Sequence, residues 1–265
     1  MTRTLFWKLT LKAAIFLALA GPEVACGPAD SPGVVFRVEL VYAPNLIQNG
    51  SFEDRTTFVS TPDEPFVAPG AKILCGGSSA LSHWSVARLD AAHQDCTPAQ
   101  KSEPPPKGGA SNTVSWFDSP NQAGIAAADG RMFINLLGFP RPGLGVIEQN
   151  KIPTKPGYVY SLWYYVGNTT AFYTPGATTK TGIKVQIVDE ETNHEIQEDE
   201  QEAPFPPDKV SVWEPKNTQF TAMGSQTTVR FTAVGTGGGA TFVGLDNVSL
   251  HCFQNPSGVI FIGGC

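Results

Sequence analysis

The sequence has little of what common catalytic sites are built from. It holds four histidines in 265 residues, and no two of them form an H-x-x-x-H or H-E-x-x-H pattern, which leaves a zinc hydrolase unsupported. The G-x-S-x-G turn of α/β-hydrolases and the G-x-x-x-x-G-K-[ST] phosphate-binding loop are also absent. A carboxylate pair for glycoside hydrolysis has no sequence signature because it is formed in space, so that enzyme class stays open as an alternative.

Positive charge is scarce as well. The formal net charge is −6, and the 18 lysines and arginines are scattered along the chain. A nucleic-acid interface needs a clustered basic surface, so nucleic acid is not an expected partner. No amphipathic stretch with helix caps is found, whereas 27 glycines and 22 prolines are typical of a turn-rich β protein.

The apolar run near the start is shorter than a membrane span. Residues 13–20 (AAIFLALA) follow three basic residues and end in an A-x-A cleavage site, whereas a spanning helix needs about 20 apolar residues. We therefore expect residues 1–20 to be a secretory signal peptide and the mature protein to be secreted or to lie in the cell envelope, with no transmembrane anchor. A membrane anchor is the alternative, and a lipid on Cys26 is a second.

The five cysteines are an odd number for an exported chain, in which disulfides form readily. The simplest pairing joins Cys75 to Cys96 and Cys252 to Cys265. This pairing leaves Cys26 over, and the sequence does not decide whether Cys26 is lipidated, paired or free.

Short apolar segments separated by Gly, Pro and Asn turns fill the rest of the chain. The clearest is 158–166, in which every second residue is apolar and faces the predicted core. With 45–53 as the opening strand, further strands are predicted at 34–42, 83–89, 131–137, 146–152, 182–188, 210–213, 218–222, 227–234 and 241–250. Many short strands spaced by turns predict an all-β fold, an antiparallel jelly-roll β-sandwich.

Two stretches interrupt this pattern of strands. Residues 97–124 are rich in Pro, Gly and Ser and are expected to be a surface insertion, whose Trp116 and Phe117 either pack back onto the core or face a ligand. Residues 189–202 hold eight of the 24 acidic residues and no Lys or Arg. We expect this acidic run to be a solvated hairpin loop, with calcium ligation as the alternative.

Aromatic side chains on strand 158–166 suggest a binding face. Trp163 and Tyr165 point away from the core and lie about 7 Å apart at the rise of a strand. Flat rings suit the C–H faces of sugars, and nearby planar polar groups can bind sugar hydroxyls. The outward polar groups expected on neighbouring strands are Asn135, Lys184, Gln186 and Arg230. A loop that covers the two rings is the alternative.

A series of motifs then occurs in a fixed order between residues 45 and 250. They are 45–53 (NLIQNGSFE), Trp84, 129–130 (DG), 134–138 (INLLG), 147–149 (IEQ), 156–160 (PGYVY), 167–168 (GN) and 244–250 (GLDNVSL). In these motifs the chain resembles the bacterial choice-of-anchor C family and plant cell-wall proteins with galactose-binding-like jelly rolls, and more loosely the carbohydrate-binding modules of xylanases. The resemblance implies a galactose-binding-like jelly roll, export, and association with cell-wall or extracellular polysaccharide.

The resemblance also implies a metal site. In such carbohydrate-binding modules a structural calcium joins the opening and closing strands, which would make Glu53 and Asp246 ligands, with Asp129 as a third. Carboxylate oxygens suit calcium, which takes six to eight oxygen ligands. The alternative is that Asp246 only caps a turn.

The predicted organisation is a signal peptide at 1–20, a lead-in segment with a first strand at 21–44, the β-sandwich at 45–252 with its insertion at 97–124, and a tail at 253–265. The predicted function is an exported, non-catalytic module that binds cell-wall or extracellular polysaccharide. A structural or adhesion protein that binds another surface protein is the first alternative. A polysaccharide hydrolase with a cryptic carboxylate pair is the second.

Overall fold

The computed structural model describes residues 44–58, 70–87, 113–119, 125–137, 145–169, 181–204, 211–235 and 242–254. Within these ranges the chain forms strands and no helix, and hence none that is long and apolar enough to cross a bilayer. The strands are β1 (Ala71–Cys75), β2 (Ser85–Val86), β3 (Thr113–Asp118), β4 (Met132–Asn135), β5 (Val146–Pro153), β6 (Val159–Asn168), β7 (Thr181–Asp189), β8 (Glu195–Glu202), β9 (Val212–Thr221), β10 (Gln226–Gly235) and β11 (Gly244–Gln254).

Several predictions fall outside the described residues. These are the signal peptide at 1–20, the lead-in with its strand at 34–42, most of the insertion and most of the tail. Cys26, Cys96 and Cys265 also lie outside the described ranges, so the pairings predicted for Cys75 and Cys252 stay predictions, as do the domain boundaries.

The described strands form two antiparallel sheets. The six-stranded sheet has the order β1-β3-β4-β11-β6-β9, and the five-stranded sheet has the order β2-β5-β10-β7-β8. From β4 to β11 the chain changes sheet at every connection except the β7–β8 hairpin. This winding of eight strands is the double Greek key of a jelly roll. The expected all-β, antiparallel jelly-roll β-sandwich is therefore confirmed.

Side chains of alternating strand positions fill the space between the sheets. Tyr164 on β6 is fully buried and meets Phe231 on β10 edge to face, with ring centroids 5.2 Å apart. Val185 and Ile187 on β7 are also fully buried, while the residue between them is partly exposed. Because each fully buried Val, Ile or Phe contributes about 1.5–3 kcal/mol by leaving water, this alternation fixes which face of each strand points inward.

A second apolar cluster covers part of the outer face of the six-stranded sheet. This outer cluster consists of Ala71, Phe117, Ile125, Phe133 and Phe242, with Ile73, Ala127 and Trp213 packed against it. Phe117 and Phe133 are cross-strand partners whose rings stack 5.2 Å apart at 6°. At this end, therefore, the sheet is apolar on both faces.

The structure corrects three predictions about strands. The insertion predicted at 97–124 contains β3, in which Trp116 faces the main core and Phe117 the outer cluster, both fully buried. The acidic run at 189–202 is a hairpin, but most of it is strand β8 at the edge of its sheet. The strands predicted at 210–213 and 218–222 are, over the described residues, the single strand β9.

The opening and closing stretches of the motif series meet, but only the closing one is a strand. The Leu46 N–H donates to the Leu250 carbonyl (2.9 Å), and the Val248 N–H donates to the Gly50 carbonyl (2.8 Å). Asn49 and Phe52 adopt left-handed backbone angles, with φ of 50° and 59°, which interrupt an extended strand. The strand predicted at 45–53 is therefore a looped segment packed on β11.

Candidate functional site

The most exposed aromatic ring of the described residues lies on the outer face of the six-stranded sheet. Trp163 on β6 is 49% exposed, and Tyr165, two residues further on the same face, is partly buried. Directly opposite Trp163 stand Asn217 on β9 and Ser249 on β11. Opposed residues in antiparallel strands share a face of the sheet. We call these four residues the aromatic platform.

Asn217 is held in a fixed orientation beside Trp163. Its Nδ2 donates to the Ser161 hydroxyl at 2.7 Å and to the Leu162 carbonyl at 3.1 Å. With both amide hydrogens engaged, the side-chain oxygen is the group left to accept a hydrogen bond from a ligand. Within the described residues no donor reaches that oxygen. The platform thus combines a flat apolar ring with an oriented acceptor.

Gln186 and Arg230 do not belong to this platform. They stand opposite each other on β7 and β10, on the outer face of the five-stranded sheet. Arg230 Nε donates to a Glu148 carboxylate oxygen at 2.9 Å, and Gln186 Nε2 donates to Glu195 and Glu198 at 2.7 and 3.1 Å. These groups satisfy one another on the far side of the sandwich. The prediction that Gln186 and Arg230 lie beside Trp163 and Tyr165 is therefore wrong, because the two pairs belong to different sheets.

Lys184 shares this second face, where it forms an ion pair with Glu198 at 3.4 Å. A pair with side chains 29% and 47% exposed contributes little to stability. The outer face of the five-stranded sheet is thus a self-paired polar surface over the described residues.

Asn135 was expected to be an exposed polar group on the outer face; it lies on the outer side of β4, but the structure shows that it is covered. It is fully buried at the end of β4. Its Oδ1 accepts hydrogen bonds from the backbone N–H groups of Leu137 (3.1 Å) and Val243 (3.0 Å). Asn135 therefore stabilises two chain turns and does not face a ligand.

A loop at residues 125–131, called the rim loop, lies on the same outer face as the platform. It has few backbone partners and is held mainly by side-chain acceptors from other segments. Ala126 N–H donates to Ser211, Ala127 N–H to Ser119, Ala128 and Asp129 N–H to Asp246, and Arg131 and Met132 N–H to Glu53. Such bonds satisfy backbone donors that no sheet pairs.

Asp246 is the buried centre of this arrangement. It is fully buried on β11, and its Oδ2 accepts the N–H groups of Ala128 (2.8 Å) and Asp129 (2.9 Å). Its Oδ1 accepts the N–H of Asn247 at 2.7 Å. Burial raises the pKa of the Asp246 carboxyl to about 8, although the three backbone hydrogen bonds act in the opposite direction.

The same residues allow a test of the calcium prediction. Both lone pairs of Asp246 Oδ2 are directed at backbone donors, and Glu53 Oε1 accepts two N–H groups at 2.6 Å. Over the ranges that the structure describes, no three side chains of His, Cys, Asp or Glu converge as a metal site needs. This geometry does not fit a calcium ion shared by Glu53, Asp246 and Asp129. Calcium binding by the protein itself stays a prediction.

The sequence predicted the outward positions of Trp163 and Tyr165 but did not indicate that Asn217 and Ser249 lie beside Trp163. The alternation along β6 marks its outward positions, which is a local signal. The partners across the sheet depend on which strands are neighbours, which no local pattern shows.

A scan against models of protein families finds no match for this chain, and a search of curated proteins finds none either. No family model therefore supports the resemblance to the choice-of-anchor C family. Carbohydrate-binding modules are among the solved structures to which the chain is similar. One is a family 61 module in complex with β-1,4-galactotriose, at 12% identity over 79% of this chain and 99% of the other, with a TM-score of 0.39.

Two further structures are similar at the same level. One is a family 22 xylan-binding domain from Paenibacillus barcinonensis, at 11% identity over 80% of this chain and 96% of the other, with a TM-score of 0.39. Another is a cleaved adhesin domain of Lys-gingipain from Porphyromonas gingivalis, at 10% identity over 68% and 96%, also with a TM-score of 0.39. At these values the likenesses add no argument about function.

Proposed function

We propose that this protein is an exported, non-catalytic module that binds a cell-wall or extracellular polysaccharide through the aromatic platform. The observation that carries the proposal is Trp163, a large aromatic residue that is 49% exposed on a strand paired on both sides. An exposed ring of this size on a sheet offers apolar area to a ligand without needing to reorder a loop.

The polar groups beside the ring support a hydroxyl-rich ligand. On one side of Trp163, the side-chain oxygen of Asn217 is an oriented hydrogen-bond acceptor. On the other side, Ser249 carries a hydroxyl group. A sugar ring has an apolar face that can stack and equatorial hydroxyls that need partners at its edge. The row of Asn217, Trp163 and Ser249 across three strands supplies both kinds of contact.

The non-catalytic part of the proposal is supported by the state of the carboxyl group directly across the sheet from Tyr165. Glycoside hydrolysis needs two carboxyl groups that face the substrate. Asp246 on β11 is the cross-strand partner of Tyr165. Its carboxyl group is fully buried and accepts three backbone N–H groups. Its oxygens are therefore turned to the protein and not to a substrate.

Replacing Trp163 by alanine is expected to weaken polysaccharide binding at least tenfold, a loss of about 1.4 kcal/mol or more, because the stacking surface is removed. The measurement is retention of the mature chain (residues 21–265) on a panel of insoluble polysaccharides, xylan and galactan included. Met223→Ala is the matched control, since Met223 is similarly exposed at 56% but lies outside the platform. Equal loss in both variants, or retention of the Trp163 variant, would contradict the proposal.

The first alternative, an adhesion protein that binds a surface protein, makes a different prediction in the same assay. Soluble oligosaccharide then fails to displace the bound protein, whereas it displaces a sugar-binding module. The second alternative, a hydrolase, predicts release of reducing ends from the polymer that retains the protein.

A further inference from the structure

The rim loop crosses the strand that carries the platform. It is tied to the start of β9 by the bond from the Ala126 N–H to the hydroxyl of Ser211, the residue before Val212 (3.2 Å), and to β11 by the bonds from the Ala128 and Asp129 N–H groups to Asp246. In the sheet, β6 lies between β9 and β11. The loop therefore passes over β6 on the outer face.

The Trp213 indole contacts both the sheet and this crossing, and its Nε1 donates to the Ala126 carbonyl (2.8 Å). A Cβ atom added to Gly167 would lie 2.4 Å from the Trp213 ring, and one added to Gly244 would lie 2.5 Å from it. Gly167 is the direct cross-strand partner of both Trp213 and Gly244. The ring thus rests on the bare backbone of β6 and β11, where any side chain would collide with it.

The Trp213 indole and the rim loop together form a wall at one end of the platform. Tyr165 precedes Gly167 by two residues and Trp163 precedes it by four, which places them about 7 and 13 Å from Gly167 along the strand. Tyr165, next to the wall, is partly buried, and Trp163, farther away, is exposed. Burial of the two rings follows their distance from the wall.

We infer that the platform binds the end of a saccharide chain and not its interior; this inference rests on the proposed function. A chain stacked ring by ring on Trp163 and Tyr165 runs along β6 and meets Trp213 and the rim loop directly after Tyr165. Packed protein atoms leave no space for it to continue. The terminal sugar therefore lies on Tyr165, and the rest of the chain leaves past Trp163.

Asp129 is the rim-loop acid placed to meet that terminal sugar. Its backbone N–H is bound to Asp246, which is the cross-strand partner of Tyr165, and its own side chain is exposed. A terminal sugar carries a free hydroxyl where an interior sugar carries a glycosidic bond. A carboxylate accepts hydrogen bonds from hydroxyl groups more strongly than a neutral acceptor does.

The test compares one polysaccharide at two chain lengths. Soluble linear xylan and soluble linear galactan are each used intact and after partial cleavage into shorter chains, and protein bound per gram of polymer is measured by titration calorimetry. For a chain-end site, the amount bound per gram rises by the same factor as the number of chain ends. Trp163→Ala, which is expected to show no binding heat, verifies that the platform is the site measured.

The outcomes separate this inference from the proposed function. An amount bound per gram that does not change on cleavage, with binding still dependent on Trp163, overturns the chain-end inference and leaves the proposed function standing. Absence of binding to every polymer by folded protein overturns the proposed function itself. Asp129→Ala is expected to weaken binding at least about fivefold, with Glu200→Ala on the opposite sheet as the control. Equal affinity of the two variants contradicts the role of Asp129.

Discussion

Replacing Gly50 by alanine is expected to destabilise the protein by about 3 kcal/mol or more. A Cβ atom at this position would lie 1.9 Å from the carbonyl oxygen of Val248 and 2.9 Å from its carbonyl carbon. Both are backbone atoms of β11, so no side chain can turn aside to relieve the contact. The segment must move away from β11, and the bond from the Val248 N–H to the Gly50 carbonyl is lost with it.

Urea unfolding of the Gly50→Ala variant measures this effect as a fall in the free energy of unfolding. Ser51→Ala is the matched control, because it changes the next residue of the same turn and adds no atom. A surface change of that kind is expected to stay within about 0.5 kcal/mol of the parent. If Gly50→Ala is as stable as Ser51→Ala, the opening segment does not pack on β11 as the structure has it.

The overall architecture follows from local patterns in the sequence. Strand β6 was predicted from its alternation, and the structure gives Val159–Asn168 with Tyr160, Leu162, Tyr164 and Val166 buried. Turn signals on both sides bounded it. Because each strand of a two-layer β protein must bury one face, such local alternation suffices to predict a sandwich. Strand order within each sheet does not follow from it.

Strands β3 and β8 were missed for two different reasons. Residues 113–118 (TVSWFD) stand in a stretch whose composition is dominated by Pro, Gly and Ser, although Val114 and Trp116 alternate as strand residues do. Strand β8 (EIQEDEQE) has no apolar alternation. An edge strand needs little buried surface, and its charges discourage pairing with other chains.

The candidate site was predicted only in part. Local alternation shows whether a side chain points to the core or to the outside, but it does not show which of the two sheets a strand joins. Alternation correctly placed Trp163, Gln186 and Arg230 on outer faces. In a jelly roll most consecutive strands change sheet, so β6 and β7 present their outer faces on opposite sides of the molecule. Asn135 also points away from the main core, but the outer cluster and residues 242–243 bury that part of the sheet.

Raising the pH from about 4 to about 8 is expected to destabilise the protein through Asp246. Its folded-state pKa is raised from 3.8 to about 8, mainly by burial. The folded state therefore holds this proton more tightly than the unfolded state does. The stabilisation is complete below pH 4, declines as the pH rises, and is gone above pH 8. At about 1.4 kcal/mol per pKa unit, the loss reaches at most about 6 kcal/mol.

Unfolding free energies across this pH range, in parent protein and in Asp246→Asn, isolate the contribution of this carboxyl. Asparagine does not ionise, so the variant is expected to lose the decline that the parent shows, while the titration of other groups affects both proteins equally. Parallel pH profiles would contradict a proton held at Asp246.

The series is run in chelator and again in excess calcium, because a cation beside the carboxylate would replace the proton as the source of stabilisation. If calcium abolishes the decline in the parent and has no effect on Asp246→Asn, the ion predicted from the family resemblance binds at this carboxylate, and the backbone N–H groups that face it must turn to admit it.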